Sequence, residues 1–338
     1  MQKYAVAITV GMLFLGACNK CDKRQFVGSH NPRYSTLNPK ENFMTQSPSQ
    51  YFAQWLNFAN MAPSTHNTKP WRFTFTDNTI SCYIDFSKRI SIADPGNREL
   101  YISVGCALTN CLIAAQHDGF TTTVNYPLKN DLLATITLEK TTQAPNSSTL
   151  QLYEAVTKRF TDRNFYSKRP IPSTLQDTLQ RCGTTEVHVL LFDGTIKQQI
   201  AKLVYTGDIV QYRQPAYCRE LANAISKGLL HAGFMSPIVQ LVVTYIPIGS
   251  LIATREKKLI EQTPLFGVLC APNTPRGWID LGQVYETIAL TATTHHLHIH
   301  PMNQGLTELP TNQATLKKLL NCPHEPLFGF RIGYPRKN

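Results

Sequence analysis

Apolar positions recur along the chain with two different periods. Tyr51, Phe52, Trp55, Leu56 and Ala59 fall at helical spacing and predict an amphipathic helix over residues 50–61. Arg72-Phe73-Thr74-Phe75-Thr76 then alternates as a strand, Asp77-Asn78 signals a turn, and residues 80–86 return as the second arm of a hairpin. Asp94-Pro95-Gly96-Asn97 breaks the chain before a mostly apolar helix over 99–117, and residues 132–138 read as a strand. Beyond a polar linker at 141–148 a second series begins. It comprises a helix at 150–158, a strand at 187–192, helices at 195–204 and 211–230, a strand at 265–271, a helix at 278–293, and strands at 298–302 and 328–334. Residues 234–252 are strongly apolar but interrupted by Pro237 and Pro247. They read as a buried lid or interface element within an insert at about 205–260, with a membrane contact as the lesser alternative.

The two series repeat one another. Tyr101-Ile102-Ser103-Val104-Gly105 aligns without gaps onto Trp278-Ile279-Asp280-Leu281-Gly282. In the same register Ala114-Ala115 falls on Thr291-Ala292 and Val124 on Pro301. Residues 50–148 and 149–338 are therefore expected to be two copies of one α+β half. Together they imitate a two-fold dimer in which one apolar helix buries itself against its counterpart.

The first 49 residues stand apart from this pattern. Lys3 gives a basic start, residues 5–15 are small or apolar, and Leu15-Gly16-Ala17-Cys18 has the small-residue form of a bacterial lipoprotein cleavage site. Residues 1–18 are thus expected to be a signal peptide with Cys18 as the lipidated residue; an uncleaved hydrophobic leader is the alternative. Residues 19–49 read as a polar tether, with Lys20, Lys23, Arg24, Arg33 and Lys40 against Asp22 and Glu41, a charge excess suited to an anionic lipid surface. The expected location is the bacterial cell envelope, with the chain anchored to membrane and facing the periplasm.

Charge and cysteine content narrow the chemistry. The chain carries a formal charge of +11, but its basic residues are scattered without interleaved aromatics, so a nucleic-acid partner has no support. Cys82, Cys106 and Cys111 sit in apolar periodic segments and read as core. Cys18 and Cys21 lack a second pair at zinc spacing, and no disulfide framework emerges. His296, His298 and His300 alternate within one predicted strand. They could hold a metal, but the repeat places them on plain structural positions of the first half, so no metal is expected; lining a cavity is the alternative role for this His295–His300 cluster. No G-x-S-x-G, P-loop or G-x-G-x-x-G occurs, which leaves hydrolase, nucleotide-triphosphatase and Rossmann readings without a motif.

Two polar stretches remain, one in each half. Pro63-Ser64-Thr65-His66-Asn67-Thr68-Lys69-Pro70-Trp71 must leave a helix and run extended before proline. Alone it reads as a helix exit bonded to itself. Arg159-Phe160-Thr161-Asp162-Arg163-Asn164-Phe165 can grip a phosphate by paired, charge-assisted hydrogen bonds; alone it reads as a solvated helix end. The halves are complementary. The second has Arg181-Cys182-Gly183-Thr184-Thr185 where the first has its turn, and the first has Ser47-Pro48-Ser49 where the second has its basic run. Taken together they suggest one site assembled across the pseudo-dimer.

Pro63-Ser64-x-x-Asn67-x-Lys69-Pro70-Trp71 resembles the P-S-x-x-N-x-Q-P-W turn of the nitroreductase-like flavoproteins. Arg159-x-Thr161-x-Arg163-x-Phe165 resembles their R-x-S-x-R/K-x-F run. Asp94-Pro95…Arg98-Glu99 and Arg331-Ile332-Gly333-Tyr334 are similar to the single-chain, tandem-half subgroup. The resemblance spans about residues 50–334. It implies a nitroreductase-like α+β fold, FMN, and electrons from NADH or NADPH delivered to nitro-aromatic, quinone or similar electron-poor acceptors. It also implies that Arg159, Thr161 and Arg163 hold the FMN phosphate and ribityl chain. Pro63, Ser64, Thr65, Asn67 and Lys69 would approach the flavin from the other half, with Asn303 and Gln304 running beside it. Lys69 stands where the family has Gln, and Phe160 where it commonly has a second Arg. Flavin chemistry belongs to the cofactor, so no side chain is named as catalytic. A flavin-sequestering envelope protein with a lid-closed site is the alternative function.

The leader reading has a direct test. Palmitate label is expected on the wild-type chain and lost in Cys18→Ser; equal labelling of both removes the anchor.

Overall fold

The computed structural model describes residues 47–227, 241, 243, 245 and 248–336. Cys18, the signal peptide, all but the last residues of the tether, Lys337 and most of the apolar run at 234–252 lie outside the described residues. The first half contains α1 (Pro48–Ala59), a 3-10 turn (Thr65–Asn67), β1 (Trp71–Thr76), β2 (Thr79–Ile84), α2 (Arg98–His117), β3 (Phe120–Asn125) and β4 (Leu132–Lys140). Next come α3 (Ser147–Val156), α4 (Ser173–Gln180), β5 (His188–Phe192), α5 (Gly194–Tyr212), α6 (Pro215–Ser226) and α7 (Gly249–Glu261). The chain closes with β6 (Leu265–Ala271), α8 (Pro275–Thr294), β7 (His298–Pro301), α9 (Gln304–Thr307), α10 (Pro310–Leu320) and β8 (Glu325–Gly333).

The sheets state the repeat in topology. The first has the order β1-β2-β4-β3 and the second β5-β6-β8-β7, with every neighbouring pair antiparallel. Each sheet packs against its own long helix, α2 or α8, and these two helices pack against each other. Helix α2 is long and apolar enough to cross a bilayer, yet it is buried in protein. At the crossing the backbones meet without side chains between them. A Cβ built on Gly105 would lie 2.2 Å from the Ile279 carbonyl oxygen, and one on Gly282 would lie 2.1 Å from that of Ile102. This reciprocity is what a two-fold axis through the helix pair produces, at the register in which the two sequences align. Tyr101 meets Trp278 on the same seam, ring centroids 5.5 Å apart. The protein is therefore an α+β pseudo-dimer within one chain.

The halves differ at two strand connections. The second half places α9 and α10 between β7 and β8, where the first joins β3 to β4 without a helix, and the larger difference is at the other hairpin. The first passes from β1 to β2 through the Asp77-Asn78 turn, whereas the second inserts α5, α6 and α7 between β5 and β6. The expected break between 204 and 211 is absent: α5 runs unbroken to Tyr212, and Pro215 opens α6 from its first turn. Gly207 is a contact point rather than a breaker, since a Cβ there would lie 1.8 Å from the Gly305 carbonyl oxygen. Helices α4, α7 and α10 were not anticipated from the pattern. Each exposes much of its surface and carries few apolar residues, with only Leu179 buried in α4 and Leu316 in α10.

The seam gives a stability prediction. Gly105→Ala and Gly282→Ala are each expected to cost about 1–3 kcal/mol through overpacking. Gly96→Ala, with nothing within 4 Å of a new Cβ, should change stability by less than about 0.5 kcal/mol. Urea unfolding checks the comparison, and equal costs at the three sites would contradict the close approach.

Candidate functional site

A cavity of about 310 Å³ opens where the halves meet. Four elements of different origin wall it: the turn after α1, the start of α2, the basic run after α3, and the loop from β7 into α9. Helices α5, α6 and α7 of the insert supply the remaining side, including Asp208, Tyr212, Tyr217, Arg255 and Glu256.

The turn is held in an unusual backbone shape. His66, Asn67 and Lys69 have φ of 51°, 57° and 50°, three non-glycine residues in the left-handed region within four positions. Local bonds fix it: the Lys69 amide donates to Ser64 Oγ at 2.9 Å, and the Thr65 amide to Ser103 Oγ on α2 at 3.3 Å. The Thr65 hydroxyl donates to Glu99 Oε2 at 2.9 Å, so toward a ligand it can only accept. The Ser64 hydroxyl accepts from Lys69 and keeps its proton for another partner. Pro63, Ser64, Thr65 and His66 line the cavity; Asn67 is exposed and Lys69 lies off the wall. The Lys69 ammonium is lowered in pKa by burial and by Lys88.

The basic run meets the edge of the second sheet at a single bridge. Thr161 bridges Ile299 in parallel, and the Asp162 amide donates to the Ile299 carbonyl at 3.1 Å. From β8, the buried Arg331 clamps it by donating to the carbonyls of Asp162 and Asn164 at 2.8 and 2.7 Å. Thr161 and Arg163 line the cavity, and the Arg163 guanidinium has no partner among the described residues. Arg159 sits behind the wall. It donates to the Met61 carbonyl at 2.8 Å, and its Nε lies 3.3 Å from Glu286 Oε1, an ion pair without the alignment of a hydrogen bond. Arg336 is engaged elsewhere, with the Tyr166 carbonyl and Gln262.

Acids crowd the other side of the cavity. Burial and then the Glu308 and Asp94 carboxyls push Glu99 well above the usual carboxylate range; Asp94 is pushed up to about 6, chiefly by burial. Burial and then Glu256 push Asp208 up to about 8. Behind the wall, burial raises Glu286 to about 7 against the opposing pull of Arg159. His66 moves the other way, down to about 4, from burial and the nearby Arg163 charge. Glu99 Oε1, Asp208 Oδ2, Tyr285 Oη and Gln304 Oε1 are buried polar atoms of lining residues that have no hydrogen-bond partner among the described residues. Unsatisfied buried groups cost free energy unless something completes them, so their convergence marks a ligand site.

No protein-family model matches the chain. A Mycobacterium tuberculosis protein named "Putative NAD(P)H nitroreductase Rv3131" is 33% identical over 118 residues, which are 35% of this chain and 34% of that protein. The match thus spans about a third of that relative's length. A second protein of the same organism, "Putative NAD(P)H nitroreductase acg", is 22% identical over 290 residues, 82% of this chain and 87% of the relative. The crystal structure of a "putative nitroreductase" from Anabaena variabilis superposes with a TM-score of 0.54 at 9% identity, covering 87% of this chain and 91% of that one. The fold is nitroreductase-like.

This fold brings Pro63, Ser64, Thr65, Thr161, Arg163, Asn303 and Gln304 to one cavity, while Asn67, Lys69 and Arg159 fall outside its lining. The Asn303 side chain is already used, accepting from the Gly329 amide at 2.7 Å and so holding the loop against β8. Among the described residues no cluster of three or more His, Cys, Asp or Glu is placed to hold a metal ion. His298 instead pairs with Asp162 at 2.6 Å, and only His300 of the histidine series lines the cavity. Asp208, Tyr212, Tyr217 and Glu256 carried no sequence signal. They lie on insert helices whose pattern is that of any amphipathic helix. Glu99 had one signal, its place beside Arg98 at the start of α2.

Asp208 supplies a pH test. A carboxyl whose pKa rises on folding from 3.8 to about 8 stabilises the fold while protonated. That contribution is complete below the unfolded value and is lost as pH climbs through the folded one. Asp208→Asn keeps the neutral form, so its stability relative to wild type should increase steadily from about pH 5 to pH 8. Urea unfolding at both ends reads this; a constant difference would show that the carboxyl is already ionised in the fold.

Proposed function

We propose that the chain is an FMN-dependent oxidoreductase that takes electrons from NADH or NADPH and passes them to nitro-aromatic, quinone or similarly electron-poor acceptors. The observation that carries the reading is the seam cavity, where the Ser/Thr turn of one half faces the Thr161–Arg163 run of the other across unsatisfied buried polar atoms. These residues fit a flavin. Ile102, Val204, Met302 and Phe328 offer apolar surface for a planar ring, the orphaned polar atoms offer partners for its edge, and Arg163 offers an unpaired cation for a phosphate. The names of the mycobacterial relatives point to the same reaction class.

FMN, when bound, supplies the two-electron chemistry. The protein's part is placement. Thr161 and Arg163 would hold the phosphate and ribityl chain, and Ser64 has a hydroxyl proton to donate from the opposite half. Arg159 would serve the site indirectly: by gripping the Met61 carbonyl and Glu286 it ties the basic run to the first half. The insert helices exclude water from one side, which strengthens every polar contact within.

That same insert favours a second reading, a protein that holds flavin under cover and turns over little. An anchor at Cys18 on the periplasmic side, also a proposal, adds weight to it, because polyanionic NADH and NADPH do not cross a bilayer unaided. Heat release and chromatography against FMN, FAD and riboflavin standards come first, with FMN as the expected product. NAD(P)H oxidation with menadione or nitrofurazone follows, and turnover is expected. FMN without turnover leaves the holding protein; FAD, or no flavin after reconstitution, overturns both.

A further inference from the structure

The β7 end of the cavity carries a constraint independent of any cofactor. Arg331 on β8 is 0% exposed. Besides the Asp162 and Asn164 carbonyls, it donates from Nε to the Nδ1 atom of His300 at 3.1 Å. A guanidinium has donors only, so Nδ1 must present its lone pair and the ring proton must sit on Nε2. His300 is 9% exposed, lines the cavity, and has no protein partner for Nε2 among the described residues. A second ring proton would break the Arg331 bond and add charge beside Arg331, Arg163 and Arg255. Those cations and burial hold the imidazole well below its usual pKa. The nearby carboxyls do not offset them: Asp162 is turned to His298, and Glu256 pairs with Arg255 at 3.4 Å and is itself raised by burial.

We propose that His300 is a fixed, neutral donor whose Nε2–H binds an anionic oxygen of the ligand, with Arg163 as the charge partner and Arg331 as the positioning residue that sets the tautomer. An N–H donor beside an unpaired arginine, inside a cavity, is the chemistry that recognises an oxyanion. The donor never titrates in the working range, so it contributes directed hydrogen bonding without supplying a proton. Only the source of the oxygen, phosphate or ring, rests on the flavin reading.

The first measurement uses flavin-free protein. Ring ¹⁵N spectra should show His300 as the Nε2–H tautomer, unchanged between about pH 5.5 and 8. An Nδ1–H tautomer, or conversion to imidazolium in that range, overturns the proposal. In Arg331→Gln the ring should begin to titrate; should that variant fail to fold, the wild-type spectrum decides alone. The second measurement compares His300→Leu with His300→Gln, which keeps an N–H donor. His300→Leu should weaken FMN binding roughly tenfold and His300→Gln by no more than about threefold. Equal loss of riboflavin affinity assigns the oxygen to the ring, and loss confined to FMN assigns it to the phosphate. No loss of either in His300→Leu overturns the proposal. If wild type binds no flavin, the failure belongs to the cofactor reading, and the ring spectra with an inorganic phosphate titration still decide the role of His300.

Discussion

The backbone contact between α2 and α8 is the interaction on which the rest depends. With Gly105 and Gly282 facing the carbonyls of Ile279 and Ile102, the helices approach as closely as main chains allow. That separation sets how far the first-half turn stands from the second-half basic run. Neither piece is a site by itself: Thr65 is spent on Glu99, and Arg159 on Met61 and Glu286. The cavity exists because a helix crossing holds its walls at one distance. Further bonds across the seam reinforce this, among them Arg98 at the start of α2 donating to the Thr307 carbonyl at 2.8 Å.

Much of this architecture could be read from residue order, for a physical reason. Elements with one buried face show it as a period, as α1 and β1 do, whereas α2 and β6 are buried on nearly every face and read as continuous apolar runs. The ungapped match of 101–105 with 278–282 was legible because a symmetric close contact demands glycine at equivalent places. The insert was not. Its helices bury part of their polar surface in the cavity wall, so Asp208 and Glu256 look like solvent-facing residues in one dimension. The end of α5 was obscured by Gly207, whose missing side chain serves packing against Gly305 rather than termination.

The site was legible by residue type and less so by role. Ser64, Thr65, Thr161 and Arg163 could be picked out because each lies in a stretch that only one half possesses and that resembles a flavoprotein motif. Arg159 is chemically the same as Arg163, and which of two arginines faces inward depends on which finds a buried carboxylate behind it. Glu286 lies well over a hundred residues further along the chain and settles the matter for Arg159. His300 is a parallel case: alternation put it beside His298, but Asp162 draws one ring and Arg331 the other, so the two histidines end with different chemistry.

The insertion at the β5–β6 hairpin bears on how such a chain can evolve. In a dimer of identical subunits every substitution appears twice, and a segment placed over one site must be tolerated over its twin. Fusion removes that obligation. The seam that would be the twin has Arg181–Thr185 in place of the turn and Ser47–Ser49 in place of the run. It is free to drift, and the working seam can gain a roof without penalty elsewhere. The partner half is also never lost to dilution, since its effective concentration is fixed by the covalent link. The turn and the run come together at one seam per chain, where a symmetric dimer would hold two such pairs.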